Sequence, residues 1–549
     1  MLKMKNYLFL FFSCTAFYFA NAQQSKLPVV KTVSFKKDSF NILKFGAVAD
    51  GISINTKSIN DAIIACHKNG GGVVVVPKGM WVTGPVVLLS NVNLHLQKNA
   101  LLQFTNDLSQ YKLITTSWEG VGAVRNESPL SATNAQNIAV TGLGIVDGNG
   151  DAWRMVKKDK LSESQWKSLV NSGGLTNDDK KTWYPSASSL KGSKTEKAGI
   201  INGTKNINDF AEIKDFLRPN LLVFTKCDRI LLEGVTFQNS PAWNLHPLMC
   251  TNLTVRNVYA KNPWYAQNGD GIDIESCKNV LVENSVFDVG DDGICIKSGR
   301  DEEGRKRNMP TENLLVQNCT VYHAHGGFVI GSEMSGGAKN IYVNDCTFIG
   351  TDIGLRFKTT RGRGGVVENI FINGITMKDI AGEAMLFDMY YAAKDPIVLA
   401  GEKREAPIVE FKKVDETTPQ LKNIFIKNVV CNGADKAIFV RGLPEMNIHD
   451  ISIENFTATA KKGFDISEAK NLSFKNVKVI SSSSTPAIDI LSSSNLLFEN
   501  VTATSSSSTT LRIGGDRSSN IKFTKNTDKN IKQKTVFEFG ANENVLIIQ

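Results

Sequence analysis

Two short acidic stretches stand out for what they could do together. Asn268-Gly269-Asp270-Gly271-Ile272-Asp273 is followed by Gly290-Asp291-Asp292-Gly293-Ile294, so Asp270 and Asp291 are 21 residues apart. An isolated Asp-Gly is ordinarily a turn. Two such stretches one repeat length apart would instead bring three carboxylates onto one face of neighbouring turns of the chain. Mutual repulsion would raise the pKa of one of them and leave it protonated near neutrality. One protonated and two ionised carboxyls is what acid- and base-assisted cleavage of a glycosidic bond requires. Asp291 and Asp292 are consecutive, and consecutive strand residues face opposite ways. Both reach one groove only if the backbone bends between them, which Gly290 and Gly293 would permit. Downstream lie His325-Gly326-Gly327 and Arg356-Phe357-Lys358. His325 alone would be an ordinary packed or surface histidine. Arg356 and Lys358 share a strand face, and beside an acidic triad they could hold a substrate carboxylate, the arginine as a fork and the lysine as a point charge.

A repeat supplies the elements that would position these groups. Asn-aliphatic-x-aliphatic followed by polar residues recurs from Asn252, Asn279, Asn313, Asn340 and Asn369, then from Asn423, Asp450, Asn471, Asn495 and Asn520, with earlier copies at Asn137 and Arg229. Most starts differ by 21 to 29 residues, with 34 and 54 where loops intrude. Apolar–polar alternation is strand periodicity, and Asn and Gly mark the turns. One short strand cannot bury its apolar face, but stacked on like neighbours it builds a continuous core. No fixed leucine-rich frame occurs, and three short strands per coil fits better than a four-stranded propeller blade. The fold class expected is all-β, a right-handed parallel β-helix (solenoid), with the recurring asparagines stacked in ladders at the coil bends. A helical stretch from Asn55 to His67, with Ile59, Ala62, Ile63 and Ala65 on one face, would cap the first coil. The repeat is lost from about 153 to 219, where Ser162 and Gln165 suggest a capping box and a long surface excursion is expected.

Composition bounds the rest. The chain has 549 residues, 42% hydrophobic and 21% charged, which excludes both disorder and a membrane bundle. A formal charge of +9 without long single-sign runs suits an anionic partner but not a nucleic-acid arm. Lys3 and Lys5 precede an apolar run from Tyr7 to Ala20 and an Ala20-Asn21-Ala22 cleavage site. This reads as a secretory signal peptide at 1–22, leaving one catalytic domain at 23–549 that is exported, to the periplasm or beyond. Cys14 as a lipid-anchored cysteine is the rival reading. No later run is long enough to span a bilayer, so no integral membrane segment is expected. Cys227, Cys250 and Cys277 lie 23 and 27 residues apart, and Cys319 and Cys346 lie 27 apart. Cysteines at repeat spacing suggest buried stacked thiols, with paired disulfides as the alternative; no zinc-type spacing occurs.

The order "NGDGID", "GDDGICIKSG", "HGGFVIGSEMSGG" and "RFKT" resembles the four signature motifs of polygalacturonase-type glycoside hydrolases, family 28. The stretch from Gly46 to Gly84 resembles the entry region of pectin-degrading β-helix enzymes, and the similarity covers roughly residues 40 to 460. The resemblance implies that Asp291 is the general acid, that Asp270 and Asp292 activate water, and that His325 supports the acid's protonation. It implies Arg356 and Lys358 as the substrate-binding pair, with Asn268 and Tyr390 also substrate-binding and Tyr391 as the alternative to Tyr390. It implies inversion, with acid and base about 6.5–9.5 Å apart, and no metal or other cofactor. The partner implied is an anionic pectic polysaccharide or oligogalacturonide, met by a monomer. Gly269, Ala324 and Phe357 depart from the family's usual residues, the first two without changing a titratable group. The insertions at 299–312 and 153–219 could wall off one end of a groove and make the enzyme exo-acting. Trp243, Trp264 and Tyr265 flank the acidic stretches and could stack on sugars. A rhamnogalacturonan-directed hydrolase, a Ca²⁺-dependent lyase and a non-catalytic pectin-binding β-helix are the alternatives.

Overall fold

The computed structural model describes residues 27–549 except 202, 204–205, 394, 401–404 and 526–530. The expected signal segment and Cys14 therefore lie outside the described residues. Each repeat copy forms a strand parallel to its counterpart one coil later. Val280 pairs with Leu314 and Val282 with Val316, for example, and all four side chains are buried. Among the described residues the coils build one 24-stranded and one 14-stranded parallel sheet, a parallel β-helix whose interior is a single apolar column.

The asparagine at the head of each copy turns the chain. Asn252, Asn279, Asn313, Asn340 and Asn369 have φ between 55° and 58°, a left-handed conformation asparagine tolerates because its short amide bonds locally. Each amide also bonds to the one below. Nδ2 of Asn279 donates to Oδ1 of Asn252 at 3.4 Å, and Asn313, Asn340 and Asn369 continue the ladder at 3.2 to 3.3 Å. The cysteines are likewise stacked, not bonded. All eight in the described residues are free, buried thiols, and Cys250 Sγ donates to the Phe224 carbonyl at 3.1 Å. The disulfide alternative is thereby overturned.

Helix α1 (Thr56–Lys68) buries Ile59, Ala62, Ile63 and Cys66, with Ala65 only half-buried, and packs against Ser39–Asn41, Gly72–Val76 and Val92–Leu96. In the excursion, α2 (Glu163–Asn171) opens on the expected Ser162–Gln165 capping box, and α3 (Ala187–Ser193) packs on the short helical stretch Ile207–Phe216. The second insertion forms α4 (Asp301–Arg307), acidic in its first turn and basic in its last, which complements the helix dipole. One element was not anticipated: an antiparallel hairpin of Leu113–Trp118 with Val121–Asn126. It is pinned to α4, where the Arg300 amide donates to Gly120 O at 3.0 Å and the Gly122 amide to Glu303 Oε2 at 2.9 Å. It is also pinned to the excursion through Val124 N–H to Gly199 O at 2.7 Å and Asn126 N–H to Leu217 O at 3.1 Å.

The 14-stranded sheet carries the groups of interest. In Ile272–Glu275, Ile294–Lys297 and Ile353–Lys358 the apolar residues point into the column. Strand alternation then turns Asp273, Cys295, Val329 and Arg356 outward in one register row, with Glu275 and Lys297 in the next.

Candidate active site

Asp270, Asp291 and Asp292 meet: one carboxylate oxygen from each lies within 4.8 Å of the other two. Their stacking differs from what a 21-residue spacing suggests. Ile272 is registered with Ile294, so this coil has a period of 22 and Asp270 stacks on Asp292, with the Gly271 amide donating to Asp292 O at 2.9 Å. Asp291 belongs to a neighbouring row with His325, whose amide donates to Asp291 O at 3.0 Å. Both aspartates precede the strand, which begins at Ile294, so alternation does not separate them. The flanking glycines serve close approach rather than special torsions. A Cβ on Gly290 would come within 2.6 to 2.9 Å of the Pro263, Trp264 and Ala266 carbonyls, and one on Gly293 within 2.4 Å of Val321 Cγ1.

The three carboxyls have three environments. Asp291 is the accessible one, its side chain 23% exposed. Its Oδ2 accepts from the Asn268 amide at 3.2 Å and its Oδ1 from the Asp292 amide at 3.0 Å, with His325 Nδ1 3.3 Å from Oδ1. Asp292 is buried and doubly paired, Oδ2 to Lys358 Nζ at 2.7 Å and Oδ1 to Arg356 Nη1 at 3.2 Å. Burial alone would raise its pKa, but Lys358, Arg356 and Lys297 outweigh that and hold it well below the usual carboxylate range. Asp270 is buried with Oδ1 unpartnered. Burial, Asp273 and Asp291 push its pKa well up, against a lowering by Lys297. The upward shift expected from crowding falls on Asp270, which is buried without the close cations that Asp292 has. His325 is 45% exposed and its second nitrogen lies 3.6 Å from Asp352. The hydrogen bond to Asp291 raises its pKa above the ordinary histidine value.

The tyrosine alternative resolves geometrically. The Tyr391 ring lies 5.1 Å from Lys358 Nζ and 5.9 Å from Arg356 Cζ, whereas Tyr390 is buried 5.4 Å from both Arg361 and Arg441. Tyr391, and not Tyr390, therefore borders the pair. The Asn268 side chain is already engaged, its Oδ1 accepting from Arg218 Nη2 at 2.9 Å. Trp243 is buried, stacked on Trp118 of the hairpin at 5.2 Å with its ring 4.1 Å from Lys297 Nζ, so it is unavailable as a sugar platform. Tyr265 packs against the excursion's Trp166 cluster. Only Trp264 of these three is open, at 55%.

Several groups escaped the sequence reading. Lys297 is buried between Asp273 at 3.2 Å, Glu333 at 3.3 Å and Asp270 at 3.9 Å. Burial opposes its charge, yet the carboxyls of Asp273, Glu333 and Asp270 outweigh it and keep the ammonium. Burial would raise Glu333, but Lys297, Lys358 and Arg363 bring it to about 2. A signal was present: the alternation in "IDIE" and "ICIK" puts Asp273, Glu275 and Lys297 outward, beside the acidic turns. The oxygen separation of at most 4.8 Å is also tighter than the 6.5–9.5 Å expected between acid and base. Such a trio could hold a cation, but Lys358 and Arg356 already supply positive charge to Asp292. What the arrangement can do is deliver a proton from an accessible carboxyl while two inner carboxyls act on water.

The model of the glycosyl hydrolases family 28 matches residues 202–428. A protein named "Probable polygalacturonase" from Vitis vinifera is 28% identical over 444 residues, covering 78% of this chain and 77% of that one. The exo-poly-alpha-D-galacturonosidase of Dickeya chrysanthemi is 26% identical over 470 residues, covering 83% and 74%. The hyperthermoactive exopolygalacturonase of Thermotoga maritima is similar in structure, with a TM-score of 0.65 at 28% identity over 82% of this chain and 93% of that one.

Proposed function

Because this chain belongs to family 28 of the glycosyl hydrolases and hydrolyses galacturonan, we propose that it removes galacturonate units from chain ends by a single inverting displacement. The observation that carries acid–base hydrolysis is the set of three unlike carboxyls within 4.8 Å, only one of them accessible; the inversion follows from the family resemblance and not from this spacing. Asp291 protonates the glycosidic oxygen as the C1–O bond breaks. Water attacks C1 from the opposite face and gives its proton to the Asp270–Asp292 pair. His325 supports the acid, and Arg356, Lys358 and Tyr391 receive a substrate carboxylate. Accessibility selects Asp291 as the acid, because Asp270 and Asp292 are buried. A second assignment, Asp270 as acid, is favoured by the proton that burial leaves there.

Exo action is supported by the bracing of the hairpin 113–126 between α4 and the excursion, next to Trp243 and Lys297. Such a wall at one end of a groove admits a terminus and stops a through-going chain. Timed chromatography of products from polygalacturonate tests the reading, with monomer expected from the first samples. A ladder of oligomers would mean internal cleavage, and no release would point to rhamnogalacturonan or to binding without catalysis. Ultraviolet-absorbing unsaturated products abolished by chelator would mean a lyase.

A further inference from the structure

We propose that Arg218, at the end of the excursion and outside all four motifs, is a positioning residue for the general acid. This rests on Asp291 being that acid. Arg218 is buried, and three of its guanidinium N–H groups have defined acceptors. Nη1 donates to Pro241 O at 2.9 Å and to Gln267 O at 3.0 Å, and Nη2 donates to Asn268 Oδ1 at 2.9 Å. Those last two contacts hold both sides of the peptide whose amide, that of Asn268, donates to Asp291 Oδ2. Asn268 stands at φ +53°, so the direction of this amide depends on a left-handed turn that Arg218 pins. The arginine is itself anchored from the hairpin, because Arg125 Nε donates to its carbonyl at 2.9 Å and Arg125 covers the Trp118 ring at 3.6 Å. Burial and Arg154 lower its pKa to about 10, opposed by Glu119, Asp291 and Asp270, so it stays charged at neutral pH. The excursion and hairpin thus also aim the acid, and shortening them would cost turnover.

The test compares Arg218→Met, Arg218→Lys, Asn268→Gly and the double variant Arg218→Met/Asn268→Gly, with Asp291→Asn alongside, by kcat and KM on trigalacturonate. Glycine accepts the left-handed turn while deleting the Oδ1 acceptor. Misplacement of a reacting group by about 1 Å costs about 100-fold, so Arg218→Met should lower kcat by about 10- to 100-fold with KM within about threefold, and Arg218→Lys should recover part of it. Because the two variants share the Arg218–Asn268 contact, Arg218→Met should cost less in the Asn268→Gly background than alone, the remainder being its bond to Gln267 O. Unchanged kcat, a loss confined to KM, or full additivity with Asn268→Gly would overturn the proposal. A general loss of folding would give full additivity together with a lowered melting temperature, and it counts against the proposal too. Should Asp291→Asn keep its turnover, the acid assignment itself has failed, whatever Arg218 does.

Discussion

Replacing Lys358 with methionine tests whether the cations poise the water-activating side of the site. Lys358 Nζ lies 2.7 Å from Asp292 Oδ2, and both side chains are almost wholly buried. At an effective dielectric of about 20, unit charges at that distance attract by about 6 kcal/mol. The net effect is smaller, because burying the ammonium offsets part of it and Arg356 remains at 3.2 Å. Losing one adjacent opposite charge moves a carboxylate by about 1–3 pH units. The sign follows from the role. Asp292 works ionised, and in the intact protein it stays ionised far into the acid range. Without Lys358 it takes up its proton at a higher pH, so the acid limb of log kcat/KM should move upward by about 1–3 units, with Lys358→Arg close to the parent. Stability moves consistently. A depressed folded pKa contributes stability that is present above the unfolded carboxyl value and lost as pH falls towards the folded one, so the methionine variant should lose most in melting temperature near neutrality and least in acid. The assay is a pH series of initial rates on trigalacturonate with parallel melting curves. An acid limb that stays in place while only KM rises would refute the reasoning and leave Lys358 a substrate ligand alone.

Three further outcomes are expected. Asp291→Asn should lose about 100- to 10,000-fold on polygalacturonate but far less on α-galacturonosyl fluoride, whose leaving group needs no proton; that same pattern in Asp270→Asn, and not in Asp291→Asn, would favour the second assignment. Proton NMR of the first product should show the β-anomer, and an initial α-anomer would mean a retaining route through one of the closely spaced aspartates. Trp118→Ala should expose Trp243 and, by loosening the Lys297 contact, lower kcat on trigalacturonate and melting temperature together, whereas Trp264→Ala should leave melting unchanged.

The repeat was legible because stacking imposes it on every coil: an asparagine at each bend, alternating aliphatics, and cysteines at coil spacing are local choices made many times over. The identities of Asp270, Asp291, Asp292, His325, Arg356 and Lys358 were legible for a related reason, since parallel strands bring residues one coil apart side by side. The pairing within that set was not. Whether Asp270 stacks on Asp291 or on Asp292 depends on a coil of 21 or 22 residues, and a one-residue difference in a loop leaves no trace in the strand pattern. Tyr391 could not be separated from Tyr390 for the same reason. Lys297 was visible as an outward strand residue, but not as the cation shared by Asp270, Asp273 and Glu333. Arg125, Arg218 and the hairpin were further out of reach, because non-repeating segments carry no period and their contacts span about 50 to 90 positions along the chain. By itself the sequence determined a solenoid and the chemistry available on one of its faces. The tertiary structure alone decided which carboxyl is exposed, which is paired and which is left bare, because burial and charge proximity are properties of the closed packing and not of spacing along the chain.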